Sequence, residues 1–197
     1  MKSKSELRRQ IKQKLAALGM THPQVSLGLL QNLRSFEELY AVRTLAGFLA
    51  FGHEPDLRPF FQEWLHDGRC LLLPRFDTAD ACYELAAVTD IERDTTRGHY
   101  GILEPAPLLS KVILSGDFPA AWLVPGLAFS SSGTRLGRGA GYYDRLLEPS
   151  SGLKIGVCLE CQLIAELPEQ QHDVKMDFII TETRIIRCQP MAEELAR

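Results

Sequence analysis

Short apolar runs alternate with segments of helical period along most of the chain, and this alternation constrains the fold more than any other feature. TLAGFLAF (44–51), CLLLPRF (70–76), CYELAAV (82–88) and AAWLVPGLAF (120–129) are each short and bounded by glycine, proline or charged residues. Strands buried on both faces read this way. LKIGVCLE (153–160), MDFIITET (176–183) and RIIRC (184–188) supply the last strands. Residues 3–19 place Leu7, Ile11, Leu15 and Leu18 on one face of an amphipathic helix. A second helix is expected over 22–38, after Gly19 and the Thr21-His22-Pro23 start signal. A third spans 56–67, beyond the break at Gly52-His53-Glu54-Pro55, and another begins near 141. Pro74 is expected to end its strand, and 89–110, with Gly98, Gly101, Pro105 and Pro107, to be loop. Strands alternating with helices imply an α/β fold with a mostly parallel central sheet flanked by helices. No repeat, low-complexity stretch or linker interrupts residues 1–197, which read as one domain.

Composition narrows the function classes. No apolar run approaches the ~20 residues of a membrane span, and the start, MKSKSELRRQIKQKL, is a charged helix rather than a secretory signal. A cytoplasmic protein with no membrane partner is expected. The net charge of −3 gives no basic surface for nucleic acid, so any anion site must come from local placement of cations. The five cysteines, Cys70, Cys82, Cys158, Cys161 and Cys188, read as reduced and mostly buried thiols. Cys158-Leu-Glu-Cys161 lacks the second pair that a zinc site needs, and lies outside any thioredoxin-like unit. Both read as structural, with the reactivity of Cys161 left open. Trp64, Trp122 and most phenylalanines belong to the core. His22, His53, His66 and His99 show no ligand spacing.

The chemistry concentrates in VPGLAFSSSGTRLGRGAGYYDR (124–145), where an apolar strand runs into Gly133, Gly137, Gly139 and Gly141. Arg135 and Arg138 lie among these glycines, and Tyr142-Tyr143-Asp144 opens a helix. Glycines let backbone N–H groups converge on an anion, the helix start adds its unpaired amides, and arginines supply forked donors for phosphate oxygens. Asp144 is placed to hold a magnesium ion bridging those oxygens. The segment is neither a Walker A loop nor a dinucleotide fingerprint. On spacing alone, a tight surface turn competes evenly with phosphate binding.

PGLAF, RLGRG and GYYDR stand in the order and spacing of the 5-formyltetrahydrofolate cyclo-ligase family, whose pattern this segment resembles. The likeness extends to Lys4 and Arg8, FLAFGHE (48–54), LPR (73–75), ILEP (102–105), Leu167-Pro168, His172-Asp173 and Asp177. It implies a three-layer α/β/α sandwich of the NagB/RpiA-like kind. It also implies a C–N bond-forming ligase of folate metabolism. Such an enzyme cyclises 5-formyltetrahydrofolate to 5,10-methenyltetrahydrofolate, with ATP as co-substrate and Mg²⁺ as cofactor, and works as a monomer. Carried across by residue, Lys4, Arg8 and Arg135 to Tyr143 (Arg135, Leu136, Gly137, Arg138, Gly139, Ala140, Gly141, Tyr142, Tyr143) would bind ATP. Arg8, Leu49, Glu54 and Arg138 to Tyr142 would bind the folate. Asp144 and Asp173 would hold the metal, and Arg138, Arg135 and Lys4 would carry the catalytic charge. Phe51, Tyr100 and Tyr142 are further candidates for ring stacking.

Two positions depart from the family pattern: Ser130 replaces the aspartate after PGLAF, and Ala140 replaces the middle glycine. The serine keeps two rivals in view. One is a family member that binds folate or ATP without turnover. The other is an ATP-dependent kinase or ligase for another heterocycle. An RNA-binding or purely structural role has little support without a basic stripe.

Overall fold

The computed structural model describes residues 2–20, 26–113 and 120–189. The chain begins with α1 (Lys4–Ala17), capped by the Ser3 hydroxyl on the Glu6 amide, then α2 (Leu27–Ser35) and α3 (Glu37–Tyr40). Strand β1 (Thr44–Ala46) leads to α4 (Arg58–His66) and to the hairpin β2 (Cys70–Asp77) and β3 (Cys82–Val88). Next come α5 (Ile91–Asp94), β4 (Thr95–Arg97), β5 (Leu103–Pro105), β6 (Lys111–Val112) and β7 (Ala120–Pro125). A small hairpin, β8 (Ala128–Phe129) and β9 (Arg135–Leu136), precedes α6 (Tyr142–Leu147), and β10 (Leu153–Val157), β11 (Phe178–Ile180) and β12 (Ile185–Arg187) finish the chain.

Eight strands form one sheet in the order β12-β11-β10-β7-β1-β2-β3-β6. The run from β11 to β2 is parallel, while β12, β3 and β6 are antiparallel additions at the two edges. Side chains of the central strands alternate between two cores. Leu45, Leu71, Leu73, Leu123, Ile155 and Val157 face α2 and α4, where Leu33, Phe61 and Trp64 are buried. Ala46, Leu72, Trp122 and Val124 face Phe129 and Leu147 of the opposite layer. This period of two with both faces covered explains why the strands read as unbroken apolar runs.

Several boundaries differ from expectation for physical reasons. Strand β1 stops at Ala46, because Phe48 and Leu49 leave the sheet to line a crevice. Strand β2 runs through Pro74 to Asp77. Its pairing with β1 ends at Leu72, so the donor that Pro74 lacks is not needed on that side. Residues 89–110 contain α5, β4, a 3₁₀ turn (His99–Gly101) and β5 rather than plain loop. The run 120–129 is cut at Gly126, which separates β7 from β8. The Thr21-His22-Pro23 signal lies outside the described residues, and helix 22–38 appears as α2 and α3, divided at Phe36. Leu18 lies just beyond α1 and is exposed. Of the five thiols only Cys158 is buried, because Cys70 faces out at the start of β2 and Cys82, Cys161 and Cys188 sit half-buried. Trp64 and Trp122 are core residues, as expected.

Helix α1 is fastened to the β8–β9 hairpin by Ile11 and Leu15, packed with Leu127, Ala128, Leu136 and Leu167. Leu15 is fully buried, so Leu15→Ala should lower stability by about 2–5 kcal/mol. Urea unfolding curves check this, and a loss well under 1 kcal/mol would contradict the docking described.

Candidate active site

Strand β1 lies between β2 and β7. From β1 the chain crosses through α4 to β2 on one side, and from β7 it crosses through α6 to β10 on the other. Segments leaving the carboxyl ends of β1 and β7 therefore diverge, and open α/β sheets leave a crevice at such a point. A cavity of about 190 Å³ sits there. Phe48, Leu49, Phe51 and Glu54 after β1 form one wall, and Pro125 and Gly126 at the end of β7 form the floor. The loop from Gly137 to Asp144 closes the other wall, and Lys4, Arg8, His172 and Asp173 reach in from α1 and the segment before β11.

The glycine loop takes its shape from two left-handed positions, Gly139 (φ +118°) and Gly141 (φ +67°), on either side of Ala140. A side chain at either would strain the backbone. At Gly139 an added Cβ would lie in ordinary contact with the Arg8 guanidinium, at 3.5 Å, so the backbone conformation rather than crowding calls for glycine there. Helix α6 has only six residues and a glycine N-cap with no side-chain bond. The arginines, rather than a helix terminus, therefore supply the positive charge here.

Three of the four crevice cations are neutralised by carboxylates within the protein. Lys4 Nζ donates to Asp173 Oδ2 at 2.5 Å and to Gln170 Oε1 at 3.2 Å. Arg135 Nη2 donates to Asp144 Oδ1 at 2.6 Å. Arg138 donates through Nε and Nη2 to Glu54 Oε1 at 3.0 and 2.9 Å, and through Nη2 to the Phe51 carbonyl at 2.5 Å. Its guanidinium also lies 4.9 Å from the centre of the Phe51 ring. Arg8 differs: its Nε donates to the Gly137 carbonyl at 2.8 Å, and among the described residues no carboxylate pairs with it. Arg135 is buried, and its Nε–H has no partner among the described residues. Arg8 and Arg135 thus retain donor capacity for an incoming anion.

Glu54 sits at the junction of both halves. Its Oε2 accepts the Phe51 amide at 2.9 Å while Oε1 faces Arg138. Burial pushes its carboxyl above the ordinary 4.5, with Arg138 and the amide opposing in part. Burial likewise raises the Tyr143 hydroxyl well above its usual value.

Every residue given an ATP-, folate- or metal-binding role or a stacking role from the sequence, except Leu136 and Tyr100, lines this one crevice. Leu136 is buried against α1 instead, because it faces the opposite side of β9 from Arg135. The side chain of Tyr100 lies outside the described part of the chain. Sequence reasoning missed Tyr83 and Gln170, and it quoted Pro74, Ile102, Leu103 and Glu104 within the LPR and ILEP motifs without a site role, although all six also line it. Tyr83 packs edge-on against Tyr142 at 5.1 Å, a pairing between β3 and α6 that no local pattern reveals. Glu104 accepts the Phe76 and His99 amides, both at 3.2 Å, and ties β5 to the end of β2. Its place in the ILEP motif was the available signal.

Among the described residues no three His, Cys, Asp or Glu side chains converge as a metal cage. Asp144 and Asp173, however, both face the crevice. Magnesium is commonly held by one or two carboxylates together with substrate phosphates and water, and that donor set fits these two residues.

The sequence profile described as the 5-formyltetrahydrofolate cyclo-ligase family matches residues 1–182. A 5-formyltetrahydrofolate cyclo-ligase of Mycolicibacterium smegmatis is 34% identical over 148 residues, covering 72% of this chain and 75% of that protein. The mouse protein of the same name is 24% identical over 191 residues, covering 91% and 94%. The solved structure of 5,10-methenyltetrahydrofolate synthetase from Aquifex aeolicus superimposes with a TM-score of 0.77 at 33% identity, covering 94% of this chain and 93% of that one.

The raised Glu54 carboxyl makes a signed prediction. The folded protein holds a proton there that the unfolded chain releases as pH rises past 4.5. Glu54 therefore subtracts stability progressively as pH climbs through the window between the ordinary and the raised value. In urea titrations from pH 4.5 to neutrality, Glu54→Gln should improve relative to the parent as pH increases. A difference that is flat, or that moves the other way, would contradict the burial argument.

Proposed function

This chain belongs to the 5-formyltetrahydrofolate cyclo-ligase family, and we propose that it closes 5-formyltetrahydrofolate into 5,10-methenyltetrahydrofolate, with ATP as co-substrate, in the crevice between β1 and β7. One observation carries the reading. Lys4, Arg8, Arg135 and Arg138, from segments far apart in sequence, converge on a single cleft that also presents the buried carboxylate of Glu54. Cations suit a triphosphate, and a buried carboxylate suits the N–H donors of a pterin ring.

Loss of an amide oxygen is the difficult step, and phosphorylation makes that oxygen a leaving group. The formyl oxygen attacks the γ-phosphorus and ADP departs. The neighbouring folate amine then adds to the formyl carbon and gives up its proton, and the carbon–oxygen bond breaks as phosphate leaves. No protein nucleophile is required. The protein's part is to align the formyl oxygen with the phosphorus and to offset charge on the transferring group. Arg8, which pairs with no carboxylate among the described residues, is the first anchor for phosphate. Arg138 spans the phosphate loop and the Glu54 wall, so it is placed to act on the reacting group from between the two ligands. Where magnesium accompanies the triphosphate, Asp144 and Asp173 would hold it, and it would neutralise phosphoryl oxygens.

The free thiols support a reducing cytoplasm. No described helix is long and apolar enough to cross a membrane.

Purified protein incubated with 5-formyltetrahydrofolate should generate methenyl absorbance only when ATP and Mg²⁺ are both present. Nucleotide binding without product would favour a binding module, and ATP turnover only with another heterocycle would favour a different kinase or ligase. Arg138→Ala should reduce kcat by about 10²-fold or more, the scale of losing one transition-state donor. Turnover within a few-fold of the parent would remove Arg138 from that role.

A further inference from the structure

Position 130, serine where the family pattern has aspartate, opens onto a chain of hydroxyl groups that ends at a carboxylate. Ser130 and Thr134 are buried at the two ends of the β8–β9 turn. The turn is closed by the Ser130 amide on the Thr134 carbonyl at 3.0 Å and by the Gly133 amide on the Ser130 carbonyl at 2.9 Å. Ser130 Oγ lies 2.7 Å from Ser132 Oγ, which lies 3.3 Å from Thr134 Oγ1. Thr134 Oγ1 donates to Glu169 Oε1, and Glu169 Oε2 pairs with Lys175 Nζ at 3.3 Å.

The residues directly after Glu169 form the turn that presents Asp173 to the crevice. The Asp173 amide donates to the Gln170 carbonyl at 3.0 Å, and the Gln170 amide donates to Asp173 Oδ2 at 2.7 Å. Outside itself, this turn is held at the crevice by Lys4, through Gln170 and Asp173. That hold is the one an incoming metal and triphosphate would take over, since it uses the same Asp173 oxygens. The Glu169 contact lies on the far side and would survive. It also joins the turn to Thr134, the residue preceding Arg135.

Resting on the function proposed above, the geometry points to Glu169 as a positioning residue: through Thr134 it holds the 170–173 turn so that Asp173 stays aimed at the metal when Lys4 turns to phosphate. It supplies from the segment before β11 the carboxylate that the family pattern carries at position 130. Groups that orient a metal ligand typically change metal affinity by 10–100-fold when removed.

Calorimetry on the full chain tests this without relying on turnover, by comparing binding of MgATP with binding of ATP in EDTA. Glu169→Ala and Thr134→Val should each weaken MgATP binding by about 10-fold or more. Binding of metal-free ATP should stay within about 2-fold, and the melting temperature should change little. Because both cut one link, the double variant should be no worse than either single change. Ser130→Asp in the Glu169→Ala background should recover most of the lost affinity, whereas Ser130→Asp alone, with two carboxylates on one hydroxyl chain, should lower it. Losses that multiply, metal-free ATP binding that falls in step, or no recovery by Ser130→Asp would each overturn the inference. A parent protein that makes methenyl product and binds MgATP, with variants indistinguishable from it, would sink this inference alone. A parent that fails to bind MgATP would sink the functional reading and this inference with it.

Discussion

The structure depends on keeping four cations in one cleft of a chain whose net charge is −3. Unpaired charges with partial burial cost several kcal/mol each, and repulsion among them would open the cleft. Asp173, Asp144 and Glu54 answer this by taking Lys4, Arg135 and Arg138 respectively. Each pair also joins segments that the sheet alone would leave apart. Lys4 ties α1 to the turn before β11, Arg135 ties β9 to α6, and Arg138 ties the glycine loop to the segment after β1. The same contacts that neutralise charge therefore set the cleft's shape. The two arginine pairs differ in burial, at 6% exposed for the Arg135 side chain and 36% for that of Arg138. The Arg138 pair is the more screened by solvent and the easier to part.

Much of this was legible because it is local. Apolar runs buried on both faces announced the central strands, and the spacing of Ile11 and Leu15 announced the docked face of α1. RLGRGAGYYD marked a candidate phosphate loop, since glycines at 139 and 141 and arginines at 135 and 138 fulfil local requirements of backbone and charge, but a surface turn fitted the spacing equally and the family resemblance decided between them. The placement of Lys4 and Arg8 beside that loop came from family resemblance. Nothing within α1 distinguishes those two from Arg9 or Lys12, which share its basic surface.

What the sequence hid is what depends on partners distant along the chain. Phe48 continues an apolar run, and only the end of pairing at Ala46 turns it into cleft wall beside Leu49, which the family resemblance had placed there. Pro74 reads as a terminator until the shortness of β1 frees that side of β2. Tyr83 looks like one more strand aromatic until α6 brings Tyr142 against it. The cysteines read as mostly buried because free cysteine usually is, yet Cys70 is the first residue of β2 and faces out. Even so, burial raises the thiols of Cys158 and Cys161, which agrees with a structural rather than reactive pair.

The paired state has a consequence for any ligand that enters. An anion that recruits Lys4, Arg135 or Arg138 must part a carboxylate from its cation, so some of its gross interaction goes into replacing contacts already made. The cost is bounded only if each released carboxylate finds a new use. On the function proposed above, Asp144 and Asp173 would find one in a divalent cation arriving with the phosphates, and Glu54 would find one in a ligand bearing N–H donors. Burial already raises the Glu54 carboxyl and Arg138 opposes that rise, so removing Arg138 without supplying such donors would raise it further. On that proposal, a cleft built on these exchanges would favour two ligands together over either one alone. By reciprocity, whatever affinity the anion lends the ring, the ring returns to the anion.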